Sequence, residues 1–440
     1  MILRDPVHGL VAFEGDDEKL VAALLATREV QRLRRVRQLG LTSLVFPGAE
    51  HSRFAHAIGT AYVMQKLQRR IREVHGELPP DQRLDRDAAR EALAAALLHD
   101  LGHGPFSHLY EGVQPSGRHH EAWTADAIRD DTTEVHQALE GLSRGMAARV
   151  ADLLEGRHRL RYLARAVSGM LDVDRADYLL RDSHMTGVRY GLYDLEWLLR
   201  AFTFGWIATE EGGEHVLAVE GRKGLPPFES FFLARHFMYQ QVYHHKATRA
   251  AEALIRGLFV RVGELVREGR APRPLPEALR CAALGEKVRL ADYLRLDDPA
   301  LMSSFASWEC SNDEVLAGLA GRLQARRLPK TVPLAVEREA QWAEIHARAS
   351  AIVAAAGTRA DLTVFLDEPT DIPYAEPPGN TPEGLWVVIS HRPIQRLGDA
   401  SFLLRELRGK RIRRPRLIFP ADHREAVLAG IADLLDQEPA

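Results

Sequence analysis

The sequence predicts a mainly α-helical protein with a small β-hairpin and a C-terminal α+β module. Three observations predict this class. Apolar residues recur at helical spacing through most of the first 330 residues, an alternating stretch at 206–222 contains Gly212-Gly213, and the last hundred residues turn to short β-branched runs joined by proline-rich sequence.

In chain order, 27–40 reads as a basic helix with Val30, Leu33, Val36 and Leu39 near helical spacing. Two more helices are expected over 55–74 and 88–99. Glycine and proline mark 102–115 as a loop. The hairpin at 206–222 is followed by one long helix over 227–267, a loop at 269–276, and further helices to about 327. Beyond that point 362–366, 385–389 and 417–419 are apolar enough for strands, with a proline-rich connection at 368–384 and a closing helix at 424–435. The expected division is a helical core over 1–330 and a small α+β module over 331–440.

The bulk composition excludes several classes. The chain has 440 residues, a net charge of −3 and 46% hydrophobic residues, so no overall charge asks for nucleic acid or a membrane surface. Two cysteines, Cys281 and Cys310, rule out a disulfide scaffold and a cysteine-rich zinc site, and they fit a reducing cytoplasm. The first residues lack the apolar core of a signal peptide, and no apolar run approaches the roughly 20 residues that span a bilayer.

The chemistry concentrates after the Ala/Leu-rich run 91–98. There His99, Asp100, His103 and His108 fall within ten residues. Adjacent His and Asp at the end of a buried helix are costly unless paired, and a divalent cation is the simplest partner for imidazole nitrogen and carboxylate oxygen. Further ligands must come from elsewhere, and His56 and Asp174 are the candidates. Taken alone, His56 reads as a core or capping histidine and Asp174 as a carboxylate near a helix N-terminus; beside His99-Asp100 they read as ligands.

Two polar stripes accompany this set. Asp174, Tyr178, Arg181 and Asp182 share one helical face, as do Arg235, Tyr239, Tyr243 and Lys246 on the long helix. Each stripe alone fits a solvated face equally well; the tyrosines favour a lined cavity, with Arg and Lys suited to phosphate. His103, His108, His120 and Glu121 exceed what one ion needs, which makes the histidines candidates for proton transfer or for stabilising a leaving oxygen.

The pattern His56, His99-Asp100, Asp174 resembles the HD-domain phosphohydrolases. With Asp5-Pro6-Val7-His8-Gly9, Gln31-Arg32-Leu33-Arg34, Gln38-Leu39-Gly40, Val45-Phe46-Pro47-Gly48-Ala49, the run 172–182 and Tyr243-His244-His245-Lys246, the chain is similar to the deoxynucleoside-triphosphate triphosphohydrolases, the vertebrate SAM-and-HD-domain enzyme and its bacterial homologues. The similarity runs in order from Asp5 to about Lys246 and weakens after about 270. It implies water attack on the α-phosphorus of a dNTP, releasing deoxynucleoside and inorganic triphosphate.

The resemblance also implies roles. His56, His99, Asp100 and Asp174 would hold iron, zinc or manganese, with Mg²⁺ on the nucleotide phosphates. His108 would be the acid for the leaving 5′-oxygen, with His103 and His120 near the phosphates and Glu121 orienting them. Arg53, Arg175, Tyr178 and Arg235 match phosphate-contacting positions; Gln38, Leu39, Asp182 and Tyr243 match sugar-contacting ones. Packing on Leu39 and Tyr243 would disfavour a 2′-hydroxyl. A homo-oligomer, a tetramer, is implied as well.

The chain departs from the family at Ala26, where the vertebrate enzyme has an Asp that reads guanine in an activator site, although Gln31 and Arg34 of that site persist. An upstream lysine is also missing, because the chain begins at Met1, and there is no SAM domain. Glu111 replaces an Asp beside the catalytic histidine. Two alternatives remain: another HD activity, such as a nucleotidase, phosphodiesterase or nuclease, and a nucleic-acid-binding role for Arg405, Arg408, Lys410, Arg411, Arg413, Arg414 and Arg416.

Overall fold

The computed structural model describes residues 1–106, 110–111, 117–209, 212–389 and 393–435. His108 and part of the expected 102–115 loop lie outside the described residues. The chain is mainly α-helical with small sheets, as the sequence predicts.

The centre is built from the helices Arg53–Val74, Arg86–Leu98 and Val173–Thr186. The Asp85 carboxylate caps the second by accepting from the Ala88 N–H, 2.8 Å. Ala92, Ala94, Ala95 and Ala96 are fully buried, and their small side chains let neighbouring helices approach closely. Asp172 caps the third in the same way through the Arg175 N–H, 2.8 Å, and Gly187 ends it in the left-handed region.

Two expected helices are interrupted. The segment 27–40 is helical only over Arg28–Arg32, tightens to a 3-10 turn at Leu33–Arg35, and is extended at Val36. The buried Arg32 guanidinium explains the stop. It donates to the carbonyls of Leu296, Leu101 and His103 at 2.8, 3.3 and 2.8 Å, which pins the segment to two other parts of the chain. The long helix of 227–267 is also divided. Leu225–Met238 runs into a π turn at Tyr239–Tyr243, and the helix resumes at Lys246–Arg267. The π turn is followed by a break: His245 is extended, and its side chain caps the helix that resumes at Lys246.

The hairpin pairs Phe202–Ile207 with Glu214–Glu220 around Gly212-Gly213. Its second strand is joined in parallel by Trp386–Val388, which pairs in turn with Gln395–Arg396. A separate three-stranded antiparallel sheet has the order Lys330–Pro333, Arg416–Phe419, Phe365–Asp367. The helices Glu339–Ala355 and Arg424–Ile431 pack on it. Thr370–Asp371 also pairs with Ile412–Arg413, so the last third of the chain contributes to three sheets. Tyr374, Val387, Leu397 and Leu404 are buried in the main core together with Leu97 and Leu179.

Removing residues 331–440 strips these side chains from the main core and leaves Glu214–Glu220 an open edge. The 1–330 fragment is expected to aggregate and to lack a cooperative thermal transition, checked by size-exclusion chromatography and circular dichroism. A monodisperse, cooperatively unfolding fragment would contradict this packing.

Candidate active site

His56 projects from the first turn of Arg53–Val74, His99 closes Arg86–Leu98, and Asp174 stands in the first turn of Val173–Thr186. The three meet. His56 Nε2 lies 3.2 Å from His99 Nε2 and 3.0 Å from Asp174 Oδ1, and His99 Nε2 is 3.5 Å from the same oxygen. Asp100 adds Oδ1 at 3.4 Å from His99 Nε2 and Oδ2 at 3.7 Å from His56 Nε2.

The donor chemistry fits a metal. His99 Nδ1 lies 2.9 Å from the Ala96 carbonyl, which only accepts, so that nitrogen carries the proton. His56 Nδ1 faces the Asp177 carboxylate at 2.8 Å. Both Nε2 atoms therefore turn toward each other and toward Asp174. Donor separations of 3.0–3.5 Å suit an ion with bonds of about 2.1 Å. Without a cation, a proton takes its place. Burial alone would lower the His56 pKa, but the hydrogen bonds to Asp174 and Asp177 and the Asp100 charge outweigh burial and raise it to about 10. Asp174 is held far below the ordinary carboxylate range: burial opposes ionisation, and the His99 and His56 charges overcome it.

A second group adjoins the first through Asp100. Its Oδ1 is 3.2 Å from His103 Nε2, and its Oδ2 pairs with the buried Arg53 guanidinium. His103 stacks on His120 with ring centroids 3.6 Å apart. Glu111 Oε1 lies 2.8 Å from His120 Nδ1, closer than Glu121 Oε2 at 3.5 Å. The Glu121 side chain is 72% exposed, and the carboxylate nearest the His120 ring is that of buried Glu111. Burial, reinforced by the Arg53 charge, pushes the His103 pKa well below its usual value and keeps that imidazole neutral.

A cavity of about 560 Å³ opens over both groups. Gln38, Leu39, Arg53, His99, Asp100, His103, His120, Glu121, Asp174, Arg175, Tyr178, Asp182 and Tyr243 all line it. Gln38 reaches it because the chain leaves its helix early and pairs with the loop before Arg53, the Gln38 N–H donating to the His51 carbonyl at 2.9 Å. Tyr243 donates its hydroxyl to Asp182 Oδ2 at 2.8 Å, and His51 Nε2 meets Asp182 Oδ1 at 2.8 Å.

Arg235 is one step removed from the cavity, and Gln31 and Arg34, expected at a separate activator site, lie outside it. Arg235 is not among the lining residues. Its guanidinium donates to Asp371 Oδ1 and the Ile372 carbonyl at 3.1 and 2.9 Å and covers the Tyr239 ring. The Tyr239 ring that it covers lines the cavity and packs edge-on against Tyr243 with centroids 4.9 Å apart, so Arg235 stands one side chain back from the cavity. Gln31 donates to the Leu25 carbonyl and accepts from Arg34, which lies over the Phe54 ring, so this pair sits outside the cavity.

The basic run is largely engaged within the chain. Arg408 pairs with Asp399 and Glu376, and Arg413 with Glu339 and Glu368. Arg405, Arg414 and Arg416 donate to the carbonyls of Asp399, Gln240 and His244.

Asp177, His51 and Arg32 are the supporting residues that pattern reading misses. Two carried a signal: Asp177 is the third carboxylate of the run Asp172, Asp174, Asp177 and lies a helical turn from the ligand candidate, and Arg32 stands in the Gln31-Arg32-Leu33-Arg34 motif.

Fold and site together define a metal-dependent phosphohydrolase of the HD class. The HD-domain family profile matches residues 53–182, which begins at Arg53, ends at Asp182 and contains all four ligand candidates. More particularly, the chain belongs to the same family as the Bacillus subtilis protein YwfO, with 34% identity over 427 residues covering 96% of this chain and 92% of YwfO. It is also homologous to the deoxynucleoside triphosphate triphosphohydrolase SAMHD1 of Bos taurus. There the identity is 27% over 294 residues, covering 60% of this chain and 48%, about half, of SAMHD1. Among solved structures it is similar to a phosphohydrolase from Bacteroides thetaiotaomicron, with a TM-score of 0.76 and 26% identity over 95% of this chain and 99% of that one. Among the described residues, no helix is long and apolar enough to cross a membrane.

Because His56 is protonated at neutral pH when no ion is bound, an incoming cation displaces that proton. Titrating metal-free protein with Mn²⁺ at pH 7, by calorimetry in buffers of different ionisation enthalpy, is expected to show on the order of one to two protons released per ion. Affinity is expected to rise about tenfold per pH unit for each proton displaced, until the pH passes the His56 pKa. Binding without proton release would contradict the donor assignment.

Proposed function

We propose that the protein hydrolyses deoxynucleoside triphosphates to deoxynucleoside and inorganic triphosphate. The observation that carries this reading is that one cavity holds both a metal-ligand cluster and the sugar-side set Gln38, Leu39, Asp182 and Tyr243. The homology to SAMHD1, whose name states that activity, supports it.

His56, His99, Asp100 and Asp174 hold iron, zinc or manganese, and Mg²⁺ enters on the nucleotide phosphates. The bound cation supplies Lewis-acid chemistry, polarising a phosphoryl oxygen and making water a better nucleophile. Arg53 and Arg175 neutralise phosphate charge, and the Tyr178 ring stands between His56 and Tyr243, with centroids 6.4 and 6.2 Å away. Arg175 keeps its guanidinium on Asp172 and the Gly169 carbonyl, which fixes its position at the cavity wall. His120, oriented by Glu111, donates to a phosphate oxygen, while neutral His103 is stacked beneath it. Water attacks the α-phosphorus, the 5′-oxygen leaves, and His108 protonates it. The Tyr243–Asp182–His51 chain fixes one wall of the sugar pocket. A sugar packed closely on Leu39 and Tyr243 leaves little room for a 2′-hydroxyl, so deoxyribose is favoured.

Assembly into a homo-oligomer, a tetramer, and activation by a nucleotide near Gln31 and Arg34 accompany this reading, as does a cytoplasmic location.

Phosphorus NMR of the protein with Mn²⁺, Mg²⁺ and each dNTP, singly and mixed, tests it. Inorganic triphosphate is expected, and hydrolysis only in the mixture would reveal an activating nucleotide. Orthophosphate or pyrophosphate would move the cleaved bond and reject the reaction, while leaving the HD class standing. Asp182→Asn weakens a hydrogen bond to a charged group, so kcat/KM is expected to fall about 10- to 100-fold. An unchanged value would remove Asp182 from the sugar pocket.

A further inference from the structure

A buried polar network lies behind the metal-ligand cluster and takes no part in the reaction described above. It begins at Asp177, which is fully buried and faces away from the cavity, a helical turn after Asp174. Asp177 Oδ2 lies 2.8 Å from His56 Nδ1, and Oδ1 lies 2.6 Å from His8 Nε2. Arg181 grips both oxygens, Nε to Oδ2 at 2.8 Å and Nη2 to Oδ1 at 2.9 Å. The third Arg181 nitrogen, Nη1, continues to Asp5 Oδ2 at 2.8 Å. Asp5 Oδ1 in turn accepts the N–H groups of Val7 and His8, each at 2.9 Å, and so shapes the turn between the strands Ile2–Asp5 and Gly9–Ala12.

We propose that Asp177 is a positioning residue of the metal centre, aligning His56 as a ligand, and that the N-terminal hairpin holds Asp177 in place through His8 and Asp5. This rests on the metal-ligand reading of His56, His99, Asp100 and Asp174.

The geometry carries it in three ways. An imidazole that donates Nδ1–H to a carboxylate is fixed in ring orientation and tautomer, and its Nε2 becomes more basic toward a cation. Thr60 Oγ1 is the other neighbour of Nδ1, at 3.3 Å, but its hydroxyl donates to the His56 carbonyl at 3.0 Å and so does not compete as a donor. Charge agrees as well. Asp5 and Asp177 carry two negative charges against the one positive charge of Arg181, which leaves a net negative charge facing His56 and His8. Packing is the third support. Gly59 stands three residues after His56 on the same helix, and a Cβ there would collide with Asp177 Oδ1 and the Arg181 guanidinium. The helix gives up a side chain at the point where the network passes.

The test is Mn²⁺ binding by metal-free full-length protein, read by electron paramagnetic resonance of the free ion. Asp177→Asn is expected to weaken binding roughly 10- to 100-fold. His8→Ala is expected to weaken it by a smaller factor, and His8→Gln, whose amide N–H reaches toward Asp177, to stay within about threefold of wild type. In histidine-labelled protein loaded with Zn²⁺, NMR is expected to show the His56 Nδ1–H proton shifted far downfield by its hydrogen bond to the carboxylate in the wild type and moved upfield in Asp177→Asn, a change that a merely structural role would not produce. If the wild type binds Mn²⁺ and both Asp177→Asn and His8→Ala bind equally well, the positioning role is overturned while the metal centre stands. If the wild type takes up no Mn²⁺, the metal reading fails and this proposal with it. Should Asp177→Asn fail to fold, the His8→Ala and His8→Gln pair decides by the same measure, equal binding in all three proteins overturning the proposal.

Discussion

Buried carboxylates govern this structure. Asp100, Asp172, Asp177 and Asp182 are all withdrawn from water within a few turns of one another. A buried charge is tolerated only when it is paired and hydrogen-bonded, so each has drawn in a partner: Arg53 for Asp100, Arg175 for Asp172, Arg181 and His8 for Asp177, His51 and Tyr243 for Asp182. The partners come from distant parts of the chain, and the helices cannot close without them. Asp174 meets, among the described residues, the two imidazoles of His56 and His99, and a divalent cation at that point would complete the balance of charge.

The same pairing explains why the backbone departs from regular helix where it does. Arg32 binds three carbonyls, two of them on the Leu101–His103 loop, and its helix ends there, which frees Gln38 and Leu39 to enter the cavity. Tyr243 in the π turn at Tyr239–Tyr243 bonds to Asp182, and Arg235 before it binds Asp371 from the last third of the chain. Local irregularity of this kind has a cost, and it gathers at positions where a side chain must be aimed. The C-terminal residues reinforce the wall from outside. Arg249, which lines the cavity, bonds to Asp367, and Arg416 donates to the His244 carbonyl.

Much of this was legible in the sequence, for physical reasons. His99-Asp100 after a run of alanine and leucine advertised buried polar groups in need of a partner, and His56 and Asp174 followed from the same need. The hairpin was marked by Gly212-Gly213, whose backbone conformations suit a tight turn. What pattern reading misplaced depends on continuity. A π turn preserves apolar periodicity on both sides, so 227–267 looks like one helix. In 27–40 the apolar spacing is sound, but the helix is overruled by the tertiary bonds of Arg32. Arg181 looked like part of a polar stripe, and periodicity gives no sign that it and Asp177 face inward toward Asp5 and His8. The arginines of 405–416 looked like a free cationic surface because their acidic partners, Glu339, Glu368, Glu376 and Asp399, lie at varied distances in the sequence.

The proposed chemistry requires one ion, which two imidazoles and carboxylate oxygen would hold jointly at the meeting point of three helices. Electron spin-echo envelope modulation of the Mn²⁺-loaded protein reads that directly, because nitrogen bonded to the ion modulates the echo. Two coordinated imidazoles are predicted, falling to one in His99→Ala. A bound Mn²⁺ with no imidazole nitrogen would contradict the account at its centre.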